Sequence, residues 1–163
     1  MNDEQESFVY AVQDHLNTYI RAADQKASIL LTAQLAFLGL SLNALRTLFP
    51  NTGTGFRSLA VLGGLSGLAG IFLAGWVVYP RTQPPDTDEG FFFWDDILDH
   101  PTAADYGEAL SELGDEGIQD ELTSENYALA EVAREKYYYL RWSLRATAAM
   151  IVLSVVVAGI YLF

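Results

Sequence analysis

ASILLTAQLAFLGLSLNAL, residues 27–45, runs for 19 residues without an Asp, Glu, Lys or Arg. As a helix rising about 1.5 Å per residue it reaches roughly 28 Å, close to the hydrocarbon thickness of a bilayer. Two further stretches are also free of charge: SLAVLGGLSGLAGIFLAGWVVYP, residues 58–80, and ATAAMIVLSVVVAGIYLF, residues 146–163. Apolar residues make up 51% of the 163-residue chain and charged ones 18%, and the two are segregated rather than interspersed. Three helices apolar on every side would leave a soluble protein of this size too little polar chain to cover them, whereas lipid covers them without help. The expectation is an all-α membrane protein with spans at residues 27–48, 57–80 and 143–163.

The flanks fix the rest of the organisation. Residues 1–26 place Phe8, Val12, Leu16, Tyr19 and Ile20 on one helical stripe, with Glu4, Asp14 and Asn17 off it, as in an amphipathic helix. The acidic start MNDEQE lacks the positive charge of a signal peptide, so the N-terminus is expected to be kept. No Pro or Gly occurs before Gly39, so this helix should continue into the first span and break only at the turn cluster of residues 49–53. In the second span Gly63, Gly67, Gly70 and Ala74 line one face, which allows close packing of another helix, within the chain or from a second copy.

Residues 81–142 form the one sizeable region outside the spans. It opens with Pro80, Pro84 and Pro85, continues with FFFWDDIL at residues 91–98, and offers a short helix capped by Thr102 and Asp105 and ended by Gly114. A second helix is expected from about Thr123 into the third span. The architecture is therefore two long helices extended into the cytoplasm with a small acidic lobe between spans two and three. The hairpin between spans one and two carries two basic residues, Arg46 and Arg57. The N-terminal segment and large loop carry seven: Arg21, Lys26, Arg81, Arg134, Lys136, Arg141 and Arg145. The positive-inside rule then puts the N-terminus and lobe in the cytoplasm of a multi-pass cell-membrane protein, with the C-terminus outside.

The composition also limits the chemistry. Without cysteine there is no disulfide framework and no thiolate or zinc–cysteine site. A formal charge of -12 disfavours nucleic acid as a partner and suits the surface of a protein adapted to high salt. Asp95, Asp96, Asp99 and His100 carry metal-ligating groups, but in so acidic a chain their clustering is ordinary, and no metal is expected. Nothing resembles a phosphate-binding loop, a nucleophile elbow or a zinc signature, so no catalytic site and no enzyme activity are expected. Inside the spans, Thr32 and Asn43 share one face of the first helix, Gln34 and Ser41 another, and Thr147, Ser154 and Tyr161 line the third span. These are suited to bonding between helices or to lining a pore.

Two basic clusters stand where long helices enter the membrane: RAADQKAS (Arg21, Asp24, Lys26) and REKYYYLRW (Arg134, Lys136, Tyr138, Arg141). Helix-end anchoring, with Arg21 and Asp24 as an i, i+3 pair, accounts for such clusters. The same groups also suit a small anion with a flat base. Arg21, Lys26, Arg134 and Arg141 would hold its phosphate, and Phe93, Trp94 and Tyr138 would stack on the ring.

RAADQKAS ahead of a span, FFFWDDI at Phe91, and EKYYYLRWS ahead of a last span occur in the order of the Pycsar transmembrane effector family, which the chain resembles over nearly its whole length. Asp24, Lys26 and Ala27 form the most specific element. The resemblance implies an antiviral effector. A partner cyclase makes a cyclic pyrimidine nucleotide, cyclic CMP or cyclic UMP. The effector responds and membrane integrity is impaired, causing abortive infection; in this chain the response is expected at the residues above, with Asp24 among them, and through association into a homo-oligomer in the lipid bilayer. It implies no cofactor beyond that ligand. A non-enzymatic membrane scaffold, or a small channel subunit without nucleotide input, is the alternative.

Overall fold

The structure is a computed structural model and describes residues 3–48, 52–79, 91 and 94–162. Every regular element among them is a helix: α1 (Asp3–Leu48), α2 (Thr54–Val78), α3 (Trp94–Asp99), α4 (Ala103–Glu112) and α5 (Asp115–Leu162). The all-α expectation holds. Three of these helices, α1, α2 and α5, are long and apolar enough to cross a membrane. The chain forms two compact units, one of Ala22–Tyr79 with Lys136–Phe163, the other of Met1–Arg21 with Pro80–Glu135.

The first unit holds the apolar lengths of α1, α2 and α5. The buried residues of α2 are Phe56, Ala60, Gly63, Gly67, Gly70, Ala74 and Val77. They advance by alternate steps of four and three, the repeat that keeps one helix face turned toward its neighbours in left-handed packing. Small residues let those neighbours come close. A Cβ placed on Gly70 would lie 2.6 Å from Gln34 Nε2 and 3.5 Å from Ala146 Cβ, and one on Gly67 would lie 2.7 Å from Met150 Sδ. Outward faces carry large apolar side chains, including Leu40, Phe72 and Val155. Such surface is costly in water and neutral in lipid.

The second unit is built from the first turns of α1, from α3 and α4, and from the start of α5. Asn126 Nδ2 donates to the carbonyl of Val9 at 3.3 Å. The backbone N–H of Phe91 donates to Glu121 Oε1 at 2.6 Å, and the Tyr106 hydroxyl donates to the Phe91 carbonyl at 3.1 Å. The rings of Phe91, His100 and Tyr106 meet one another with centroids 5.3 to 6.2 Å apart. Thr102 caps α4, its hydroxyl accepting from the Asp105 N–H at 3.2 Å.

One sequence expectation needs correction here. The last helix begins at Asp115, about eight residues ahead of Thr123. Asp115 and Glu116 in its first turn favour a helix N-terminus, where the backbone dipole is positive, and the N–H of Ile118 donates back to Gly114 at 3.1 Å. The short helix α4 ends just ahead of Gly114, as expected. Among the described residues no glycine has a positive φ, and α4 closes through an extended Leu113.

Candidate functional site

The polar end of the first unit is organised around one ammonium group. Asp24 lies on α1 just before its charge-free stretch, Val77 in the last turn of α2, and Lys136 on α5 ahead of the third apolar stretch. Lys136 Nζ bonds Asp24 Oδ1 at 2.5 Å and donates to the Val77 carbonyl at 2.6 Å. That carbonyl belongs to the turn whose oxygens lack donors within the helix, where the dipole favours a cation. The Lys136 side chain is 6% exposed and that of Asp24 36%. Loss of water around the ammonium is offset by a carboxylate and a carbonyl, the condition for burying a charge. Ala23, Ala27, Val77 and Leu140 close the apolar side of this junction, with Leu30, Tyr137 and Tyr139 packed against them.

Exposed cations and rings surround it. Lys26 Nζ lies 5.7 Å above the Tyr137 ring. Arg141 Nε donates to the Tyr137 carbonyl at 3.2 Å, leaving the rest of its guanidinium turned outward. Tyr138 is 52% exposed and stands edge-on to Tyr139 and Trp142. Of the ligand candidates, Asp24, Lys26, Tyr138 and Arg141 therefore lie in this unit. Arg21 and Arg134 lie in the other, both exposed. Phe93 and the side chain of Trp94 fall outside the described residues.

Lys136 was not singled out by the sequence reading, which counted it among interfacial cations. A signal for it exists. Lys136, Leu140, Ser143, Thr147 and Met150 advance by four, three, four and three, the period of an inward stripe, and all but half-buried Thr147 are buried. Deeper in the unit the same stripe carries a polar ladder. Gln34, 1% exposed, donates from Nε2 to Thr147 Oγ1. Thr147 donates to the Ser143 carbonyl at 2.8 Å, and Ser143 donates to the Gly70 carbonyl at 2.8 Å. The hydroxyls of Thr32 and Ser154 instead return to carbonyls of their own helices, at 2.9 and 2.8 Å.

In the acidic unit, burial raises the carboxyl of Glu125 above its ordinary range, and the charges of Glu121 and Asp96 add to the rise. Among the described residues no group of three or more His, Cys, Asp or Glu side chains is arranged to hold a metal ion.

By its fold the molecule belongs to the class of membrane-type helical proteins, with three helices joined at one polar end by a part-buried ion pair and the bond of its lysine to a helix carbonyl. A family model described as the Pycsar effector protein domain matches residues 8–163, so the chain belongs to the Pycsar effector family. The name of that family implies an effector of antiphage defence. The Pycsar effector protein SaPycTM of Staphylococcus aureus is 28% identical over 138 residues, which cover 85% of this chain and 84% of that relative. No solved structure matches the chain.

Proposed function

We propose that this effector senses a cyclic pyrimidine nucleotide on the cytoplasmic side and responds by impairing the membrane, so that an infected cell stops supporting phage replication. The observation that carries this reading is the family match over residues 8–163. The geometry adds a physical route. Lys26 and Arg141 are exposed cations that both meet Tyr137, and the exposed Tyr138 ring lies in the same unit, whose helices Lys136 ties together. A phosphate drawn to those cations would act on the same helix ends that the ion pair fixes, Asp24 taking part by holding Lys136. Arg21 and Arg134 are the phosphate candidates of the acidic unit, and Phe93 and Trp94 remain candidates for stacking. The response is non-enzymatic, with self-association in the bilayer as its final step.

A nucleotide can drive such a change only through a preference for one helix arrangement, since equal affinity for two states shifts neither. Dye influx is the decisive assay in cells carrying this protein with and without a pyrimidine nucleotide cyclase. Influx is expected only with the cyclase, and is expected to disappear in the Lys26→Ala, Arg141→Ala double variant. Harmless co-expression would instead favour a scaffold, and influx without any cyclase a channel subunit. Calorimetry of the purified protein with cyclic CMP and cyclic UMP, against cyclic AMP, measures the sensing step separately. Orientation is checked in sealed vesicles, where protease is expected to cleave the acidic unit only from the cytoplasmic face.

A further inference from the structure

At the end of the first unit away from Lys136, the three long helices part around a cavity of about 400 Å³. Its walls include Leu42 of α1, Phe56, Gly63 and Gly64 of α2, and Met150 and Val157 of α5, and no Asp, Glu, Lys or Arg borders it. Three hydroxyls lie in the wall, those of Ser41, Ser154 and Tyr161, and that of Ser154 is already given to the Met150 carbonyl at 2.8 Å. A cavity lined in this way offers a ligand dispersion contacts and few hydrogen bonds.

We propose that one acyl chain of a membrane phospholipid occupies this cavity. On α5 the lining extends from Met150 to Leu162, a rise of about 18 Å at helical geometry. That height corresponds to a single leaflet, about 15 Å of the roughly 30 Å hydrocarbon core. The opening lies among helices whose surroundings are lipid, so the molecule available to fill it is an acyl chain, and empty space would forfeit the contacts of its walls. A helix from a second copy is the competing occupant, and the experiment below separates the two. The proposal is independent of nucleotide sensing and stands or falls apart from it.

Gly64 provides a selective test, because it lines the cavity and a Cβ added there meets nothing within 4 Å. Gly39 has equally free space but does not border the cavity, and so serves as the control. The full chain is reconstituted in phosphatidylglycerol vesicles containing a fraction of the same lipid with a photoactivatable diazirine in its acyl chain. After irradiation, adducts are mapped by peptide mass spectrometry. Adducts are expected to concentrate in residues 56–64 and 150–162, to fall several-fold in Gly64→Phe, and to be unchanged in Gly39→Phe. Gly64→Leu is made in parallel and should give an intermediate loss, with helicity checked by circular dichroism for each variant. Adducts spread evenly over the exposed helix faces, or unchanged in both Gly64 variants, would overturn the proposal. So would adducts at these segments that disappear as the protein-to-lipid ratio is raised, the sign of a second copy covering them.

Discussion

In the unit of Ala22–Tyr79 and Lys136–Phe163, the buried polar side chains are Gln34, Lys136 and Ser143, and each bonds to a different helix from its own. In the unit of Met1–Arg21 and Pro80–Glu135, the described residues that are buried are Leu122 and Ala133. Order there comes from caps, an aromatic trio and single hydrogen bonds at half-exposed positions. The contrast follows from the surroundings. Helices in lipid gain nothing from burying apolar surface against one another, so close contact and a few polar bonds must hold them. The acidic unit is polar and mostly exposed, so its polar groups can fall back on solvent when a contact is lost. Single substitutions should therefore be costly and cooperative in the first unit, local and graded in the second.

The largest expected effect is Lys136→Ala. It leaves the Asp24 carboxylate without its partner at the edge of the apolar region. The cost is expected at about 2–3 kcal/mol, below the range for fully buried pairs because Asp24 is 36% exposed. Thermal unfolding in detergent, followed by circular dichroism, measures it. The double variant Asp24→Leu, Lys136→Met should recover much of the loss, because an apolar pair of similar volume carries no desolvation cost. If the double variant is as unstable as Lys136→Ala, ion pairing is not what the junction depends on.

A graded series on α2 sharpens the same contrast. Gly70→Ala drives a methyl group toward Gln34 Nε2 at 2.6 Å, and although a glutamine end can swing away, this one would give up its bond to Thr147. The expected cost is about 1–2 kcal/mol. Gly67→Ala meets Met150 Sδ at 2.7 Å and Leu38 Cδ2 at 3.1 Å, flexible ends that carry no hydrogen bond, and should cost less. Gly63→Ala finds Leu153 Cβ at an ordinary 3.5 Å and should be neutral or slightly stabilising, since alanine favours the helix. Unfolding midpoints in the order 63, 67, 70 from most to least stable are expected, and equal midpoints would show that this face is not closely packed.

The spans were legible because charge-free runs report directly on length and solvent, and the Thr102 cap because it is a contact over three residues. The Lys136–Asp24 pair was not, because its partners lie 112 residues apart and neither residue type announces a distant ion pair. Its burial could have been read from the four-three stripe it shares with Leu140 and Ser143, but not its partner. The start of α5 was missed for another reason. Gly114 and Gly117 bracket Asp115 and Glu116 and resemble a loop, yet the two acids favour the helix start, and Gly117 lies a turn above Leu113, with the Leu113 side chain 3.3 Å from where a Cβ would stand. The ligand candidates divided between the two units because a linear cluster such as residues 21–28 can straddle a boundary set by tertiary packing.

In the acidic unit, pH should matter through Glu125. Its carboxyl is held above the ordinary value of 4.5 by burial, then by Glu121 and Asp96. Between the unfolded and folded values the folded chain binds more protons, so stability falls as pH rises through that window and stays at the lower level beyond it. The protection factors of the amides around residues 121–130, taken against the intrinsic exchange rate at each pH, should thus be higher at pH 5 than at pH 7. Glu125→Gln should raise the protection factors at pH 7 and flatten their difference between the two pH values. An unchanged pH dependence in that variant would assign the effect to other carboxylates.

Thr102→Ala carries the smallest effect, and its confinement is the point. The Thr102 hydroxyl accepts from the Asp105 N–H and donates to Asp105 Oδ2 at 2.8 Å, so alanine removes a cap worth about 1 kcal/mol. No residue of α4 is buried, so little of that loss can spread through packing. Exchange at the first amides of α4 should quicken several-fold, while the global unfolding midpoint and exchange in α2 stay unchanged. A cap variant that lowered the global midpoint as far as Gly70→Ala does would mean that the acidic unit is as cooperative as the apolar one, and the contrast between them would not stand.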